Sequence, residues 1–216
     1  MSINKSYAVF GLGRYGLAVA KELMNNGAEV LAVDIDENVV NTAAIDITYC
    51  KCADVTDAEV IKQLGIASVD VVIIAMANNL EASVMAVMLC KEIGVKNVIV
   101  KCANEMHRKI LSKVGADKVV FPENESGTRL AKNLLSSGFV DVIELANDVS
   151  LIELDVKPEW IGKTFIELNL RKKYSINVIA VKQKNDFQIN IDPNTKLEKD
   201  MQLVVIVNTS KMSKLK

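Results

Sequence analysis

Histidine is nearly absent from this sequence of 216 residues. The single histidine, His107, lies in NEMHRKIL, a segment whose spacing is typical of an ordinary helix. The chain contains no recognisable serine, histidine and aspartate set and no spaced pair of carboxylates of the kind that acid–base catalysis uses. These absences argue against an enzyme.

Long hydrophobic runs are also missing. The run VVIIAMA at 71–77 is far shorter than the about 20 apolar residues that a membrane-spanning helix needs. The first residues, MSINKSY, lack the apolar stretch of a signal peptide. We therefore expect a cytoplasmic protein that does not insert directly into a membrane.

No excess of one charge is present. The 26 lysine and arginine residues and the 27 aspartate and glutamate residues give a net charge of −1. Nucleic acids and anionic membrane surfaces favour a strongly basic face. The sequence therefore predicts no nucleic-acid partner.

Cysteine is sparse, with four residues in the chain. Cys50 and Cys52 are two apart, but Cys90 and Cys102 do not form the second close pair that structural zinc sites usually show. The alternation in ITYCKC places Cys50 and Cys52 on one face of a strand. We predict that both pack in the core rather than bind a metal.

Short β-branched segments alternate with amphipathic segments from residue 7 to about residue 121. This alternation predicts an α/β fold, a Rossmann-like doubly wound parallel sheet. The strand candidates are YAVFG, EVLAVD, ITYCKC, DVVIIAM, NVIVK and KVVF.

The pattern changes after Gly138. We predict a small α+β module there, in which VSLIELDV, INVIAVKQ, FQINI and QLVVIV are strands and KTFIELNLRKKY is a short helix within a βαβ unit. The predicted domains are residues 1–138, ending in a helix that starts near Pro122, and residues 139–216, with the junction inside FVDVIELAND.

A glycine-rich turn follows the first predicted strand, in YAVFGLGRYG. Gly11 permits the tight turn, Gly13 lets a phosphate approach the backbone, and Gly16 lets the next helix pack on the strand. The free amides at the start of that helix favour an anion. Asp34 ends the second strand at the interval expected for a carboxylate that binds ribose hydroxyls. These features predict an adenine-nucleotide site.

Several other residues lie near this predicted site. Asp36 either reaches the ribose or starts the next helix, and Asp54 either borders the adenine or caps a turn. Arg14 is either a solvated helix residue or a partner for a phosphate or carboxylate, including one on a neighbouring subunit. Neighbouring residues on the same sheet edge complete the predicted binding set: Ile35, Val55 and Lys101.

Longer segments resemble the RCK (regulator of K⁺ conductance) and TrkA family, and within it the cytosolic regulatory subunits of bacterial potassium transport systems. The resemblance spans nearly the whole chain, as an N-terminal and a C-terminal RCK domain. It is carried by FGLGRYG, VLAVD, VIIAMANNLEAS, VIVKCANEMHRKILSKVGADKVVFPE and LRKKYSINVIAVKQ with DPNTKLEKDMQLVVIV.

The resemblance implies a homodimer that assembles into an octameric ring beneath a separate integral membrane potassium-translocating subunit. ATP and ADP would bind the glycine crevice and favour opposite ring states. Arg14 matches an arginine that reaches the terminal phosphate across the dimer interface, and Lys101 matches a lysine near the phosphates. Glu123 matches a carboxylate that helps hold Mg²⁺ or Na⁺ there. Tyr15 replaces the phenylalanine of many relatives.

The resemblance also implies cyclic di-AMP binding between two copies of the C-terminal domain. Arg171 would meet a phosphate and Asn177 an adenine or ribose edge, while three apolar residues would contact the rings: Phe165, Val178 and Pro193. Ordinary packing and turn roles are the alternative for these residues. Phe165 and Val178 differ from the aliphatic and histidine residues of many relatives.

These observations favour a nucleotide-sensing gating subunit for a potassium channel or transporter. A small NAD(P)-dependent oxidoreductase, an NADH-responsive TrkA-like regulator and a nucleotide-binding scaffold without a channel partner remain alternatives.

Overall fold

A computed structural model of the chain describes residues 5–135, 141–146, 148–184 and 186–215. It forms two compact units, residues 1–122 and residues 123–216. The predicted domain junction between residues 138 and 139 lies outside the described residues and stays a prediction. Within the described ranges, no helix is both long and apolar enough to cross a bilayer.

The first unit alternates strands and helices along the chain, as predicted. Its strands are β1 (Ser6–Phe10), β2 (Glu29–Asp34), β3 (Tyr49–Cys52), β4 (Val71–Ile74), β5 (Asn97–Lys101) and β6 (Lys118–Val120). Its helices are α1 (Arg14–Asn25), α2 (Glu37–Ala43), α3 (Ala58–Gln63), α4 (Leu80–Glu92) and α5 (Glu105–Val114).

These strands form one parallel sheet in the order β3-β2-β1-β4-β5-β6. Alternate side chains of β1 enter two cores: Ala8 and Phe10 pack on one side and Val9 on the other. Every residue of β4 is buried, as expected for a strand covered on both faces. The Rossmann-like prediction is therefore confirmed.

The cysteine prediction was only partly correct. Cys50 is half-buried against the core, but Cys52 is exposed because β3 is an edge strand with little covering it. The alternation of residues in ITYCKC places the two thiols on one face of the strand. It does not predict how much of an edge strand is covered by the rest of the protein. Among the described residues, no three histidine, cysteine, aspartate or glutamate side chains cluster as metal ligands would.

The second unit begins within α6 (Pro122–Leu135) and forms an antiparallel sheet. Its strands are β7 (Asp141–Ala146), β8 (Val149–Asp155), β9 (Ile176–Gln183), β10 (Asp186–Gln188) and β11 (Met201–Asn208), in the order β10-β9-β11-β8-β7. The sequence did not predict β7, which pairs with β8 where the domain junction was expected.

The predicted βαβ unit of this module is a split one. The two helices α7 (Phe165–Leu168) and α8 (Leu170–Tyr174) connect β8 to β9, but β11 lies between these strands and pairs antiparallel with both. The predicted single helix is divided at Asn169, which has a φ of 43°. Trp160 is buried in the core of this unit, edge-on to Tyr174 at 5.4 Å.

The packing of α1 on β1 generates a stability prediction. A Cβ on Gly16 would overlap the Gly11 carbonyl oxygen, so Gly16→Ala should lower the free energy of unfolding by about 1–3 kcal/mol. Gly127→Ala is the matched control, because nothing lies within 4 Å of an added Cβ in α6. That change should stabilise by up to about 1 kcal/mol. Chemical denaturation measures both, and a Gly16→Ala protein as stable as the wild type would contradict the packing argument.

Candidate functional site

The carboxyl edge of the parallel sheet holds a cavity of about 300 Å³. It lies where the strand order reverses between β1 and β4, the place where open α/β sheets bind ligands. Its walls come from the ends of β1, β2 and β3, the segment after β4 and the start of α4: Gly11, Val33, Asp34, Ile35, Ala53, Asp54, Val55, Thr56, Met76, Asn79 and Ala82. Most of this lining is apolar, with a few polar groups, as expected for a ligand pocket.

The glycine turn has the local geometry that the sequence predicted. Gly11 has a φ of 87°, and a Cβ there would meet the Met76 side chain at 2.8 Å. Gly13 is the N-cap of α1 and supplies no side-chain cap, and nothing lies within 4 Å of the position where its Cβ would be. The backbone at Gly13 is therefore open to an approaching group, and the start of α1 offers amides to an anion.

Asp34 is bound to the glycine turn. Its Oδ2 accepts a hydrogen bond from the Leu12 amide at 2.6 Å, and its Oδ1 accepts one from the Asp36 amide at 3.0 Å. Asp36 itself caps α2 by accepting from the Asn38 amide. The capping alternative for Asp36 is thus the role seen in the structure, and Asp36 does not line the cavity.

Asp54 lines the cavity and also forms a turn with Thr56. Its Oδ1 accepts from the Thr56 hydroxyl at 2.7 Å and from the Thr56 amide at 2.9 Å. These two hydrogen bonds lower the pKa of the Asp54 carboxyl below its usual value. Asp54 is therefore a fixed carboxylate at neutral pH. The turn role is the one seen in the structure, and its place beside an adenine stays a prediction.

Arg14, Tyr15 and Lys101 lie outside the lining of this cavity. Arg14 is exposed at the first position of α1. The Lys101 ammonium lies 5.5 Å from the centre of the Tyr15 ring, so these two predicted residues are brought together as a cation–π pair. Glu123 belongs to the second unit, and its role near the phosphates stays a prediction.

The sequence missed part of the cavity wall. Met76, Asn79 and Ala82 follow β4, and their contribution required the knowledge that β4 pairs with β1. Thr56 was missed as well, although its place after Asp54 is a usual signal for a side-chain turn.

A second cavity of about 300 Å³ lies within the second unit. All five residues predicted for cyclic di-AMP line it: Phe165, Arg171, Asn177, Val178 and Pro193. Asn169, Leu170, Ile176 and Ile191 complete its walls. The structure thus places one cation, two amide side chains and several apolar groups around a single opening.

The Asp54 turn generates a prediction about pH. Thr56→Val removes the stronger of the two contacts that favour the carboxylate, so the pKa of Asp54 should rise toward its usual value. The hydrogen bonds of this turn contribute to stability above the pKa that the Asp54 carboxyl has in the unfolded chain. That contribution is lost as the pH falls through the lower pKa that the same carboxyl has in the folded protein. Thr56→Val should therefore lose that stability at a higher pH than the wild type.

Carboxyl NMR titration measures the pKa of Asp54 directly. Thr56→Ser is the matched control, because it keeps the hydroxyl and should keep the lowered pKa. An unchanged pKa in Thr56→Val would show that the hydroxyl is not responsible for the shift.

Two domain families match the chain. The TrkA-N domain family matches residues 7–122, and the TrkA-C domain family matches residues 149–216. The chain is 36% identical to the Ktr system potassium uptake protein C of Bacillus subtilis strain 168, over 98% of this chain and 96% of that protein. It is also 36% identical to protein A of the same system, over 94% of this chain and 91% of that protein.

The fold also occurs in a larger protein of known structure. The GsuK channel bound to NAD matches 98% of this chain with a TM-score of 0.56 and 20% identity. This chain spans 38% of that one, so the match concerns the fold alone. The predicted resemblance is confirmed, and so is the prediction that the chain is not an enzyme, because the Bacillus relatives are potassium uptake proteins. The chain belongs to the TrkA family, with a TrkA-N domain followed by a TrkA-C domain.

Proposed function

We propose that this protein is a cytosolic, nucleotide-sensing gating subunit of a potassium channel or transporter. It acts on a separate, KtrB-like integral membrane subunit, and exchange of ATP for ADP changes the ring conformation that controls K⁺ flux. The observation that carries the proposal is the cavity at the β1/β4 edge, where an open glycine turn and Asp34 lie together in a chain of the TrkA family.

The proposal requires that the two nucleotides favour different states of the assembly. A ligand shifts a conformational equilibrium only by its difference in affinity for the two states. ATP and ADP differ by one phosphate, so contacts to that phosphate must supply the difference. The exposed guanidinium of Arg14, at the start of α1, is suited to a phosphate bound in a neighbouring protomer.

A cation is part of the proposal. Mg²⁺ or Na⁺ beside the phosphates would use carboxylate and phosphate oxygens, and Glu123 is the predicted protein ligand. The homodimer and the octameric ring are likewise proposals, taken from the resemblance to the family.

The first test measures K⁺ flux into liposomes that contain the candidate membrane subunit and this protein, under ATP and then under ADP. Arg14→Ala should remove the ATP-specific effect on flux while leaving ADP affinity within about threefold, because ADP lacks the phosphate that Arg14 would contact. Arg14→Lys should show an intermediate effect, since lysine keeps the charge but not the two-point geometry.

Other results would favour the alternatives. Equal loss of the ATP and ADP responses in Arg14→Ala would contradict the role given to this arginine. In calorimetric competition, a strong preference for NADH with turnover would indicate an oxidoreductase, and the same preference without turnover would indicate a TrkA-like NADH sensor. Failure to co-purify with any potassium-translocating subunit would favour a scaffold.

We also propose that the second cavity binds cyclic di-AMP. Five predicted contacts surround one opening, and Arg171 supplies the positive charge that a phosphodiester requires. Two copies of the unit would complete the site around one ligand, as the family resemblance implies.

Arg171→Ala should weaken cyclic di-AMP binding by about tenfold or more, the effect of losing a charge-assisted hydrogen bond. Lys172→Ala is the matched control, because Lys172 lies next to Arg171 on α8 but does not line the cavity. Isothermal titration calorimetry measures both. Equal weakening by the two changes would show that the net charge of α8, and not the position of Arg171, governs binding.

A further inference from the structure

Both carboxylate oxygens of Asp34 are engaged by the backbone. Oδ2 accepts from the Leu12 amide at 2.6 Å, and Oδ1 accepts from the Asp36 amide at 3.0 Å. The first contact links the end of β2 to the glycine turn, across 22 residues of sequence. A hydrogen bond to a charged acceptor is stronger than one between neutral groups, so this contact is suited to holding the turn.

Leu12 lies at the centre of the glycine turn, between Gly11 and Gly13. The Gly11 amide donates to the Val33 carbonyl at 2.8 Å, so two successive amides of the turn are bound to successive residues of β2. The Leu12 side chain is buried in the core beneath. The turn is therefore anchored on one side by packing and on the other by the Asp34 carboxylate.

We infer that Asp34 is a positioning residue for the phosphate-binding turn, in addition to its predicted contact with ribose hydroxyls. By holding the Leu12 amide, it fixes the path of the backbone into Gly13 and the first turn of α1, where the phosphates would bind. The inference rests on the proposed nucleotide function. It adds that the affinity for phosphate depends on Asp34, although the charge of a carboxylate does not favour phosphate binding.

The sign of the charge makes this inference testable. A carboxylate near a polyanion repels it, so removing the carboxylate should strengthen phosphate binding if charge alone matters. If the carboxylate positions the turn, its removal should weaken phosphate binding instead. The two roles therefore predict changes in opposite directions.

Inorganic tripolyphosphate is the probe, because it has no ribose that Asp34 could contact. Titration calorimetry on the full chain should show that Asp34→Ala binds tripolyphosphate about tenfold more weakly than the wild type, the effect of one lost charge-assisted hydrogen bond. Asp34→Asn keeps one acceptor oxygen, so its affinity for tripolyphosphate should lie between those of Asp34→Ala and the wild type. Glu37→Gln is the charge control, since it removes a neighbouring negative charge at the start of α2. This variant should bind tripolyphosphate as tightly as the wild type or slightly tighter.

Hydrogen exchange at the Leu12 amide provides a second readout that needs no ligand. Exchange measured by NMR should be at least about tenfold faster in Asp34→Ala and unchanged in Glu37→Gln. Circular dichroism confirms that each variant is folded, and Asp34→Asn supplies the milder change if Asp34→Ala unfolds.

The outcomes separate the inference from the proposed function. The inference would be overturned if Asp34→Ala bound tripolyphosphate as tightly as the wild type, or if the exchange rate of the Leu12 amide were unchanged. In either case, ATP binding by the wild type would still support the proposed function. A wild-type protein that binds neither ATP nor tripolyphosphate would overturn both.

Discussion

The approach of α1 to the end of β1 is the constraint on which the first unit depends. Gly16 lies so close to the Gly11 carbonyl oxygen that the helix has no room for a side chain there. This contact fixes the start of the helix next to Gly11, which lines the cavity, and nothing lies within 4 Å of a Cβ added at Gly13. The parallel sheet then brings Asp34 and Asp54 to the same edge, since parallel strands end on one side.

The two units each contain a cavity formed entirely by their own residues. One has carboxylates and a glycine turn, and the other has an arginine and amide side chains, so the two differ in the ligands they suit. Any communication between two such sites must appear as a coupling free energy, and it would be reciprocal. A nucleotide that altered the affinity of the second cavity for a ligand would have its own affinity altered by the same factor.

Local sequence predicted the features that depend on backbone geometry. Gly11, Gly16 and Asp34 were identified because a tight turn, close packing and a strand end each demand particular residue types. The walls formed by Met76 and Asn79 were not identified, because they depend on which strands become neighbours. That information is non-local.

The errors have similar physical causes. Cys52 was assigned to the core from alternation alone, but the exposure of a strand depends on its position in the sheet. The segment that forms β7 was interpreted only as the domain junction, because its pairing with β8 is a tertiary contact. Asn169 divides a predicted helix by adopting a left-handed conformation, which asparagine tolerates better than most residues. The five predicted residues that line the second cavity came from family resemblance, and no local pattern would have selected them.

The order of strands in the second sheet has a consequence for how that unit forms. β11 lies at the centre of the sheet, with β9 on one side and β8 on the other, although it follows the other described strands along the chain. During synthesis, β8 and β9 therefore emerge without the strand that joins them, and the backbone edges that pair with β11 stay unpaired until β11 is made. The first unit, whose strands all precede β7, can complete its sheet before then. The cavity of the first unit would thus be complete before the second unit has its central strand.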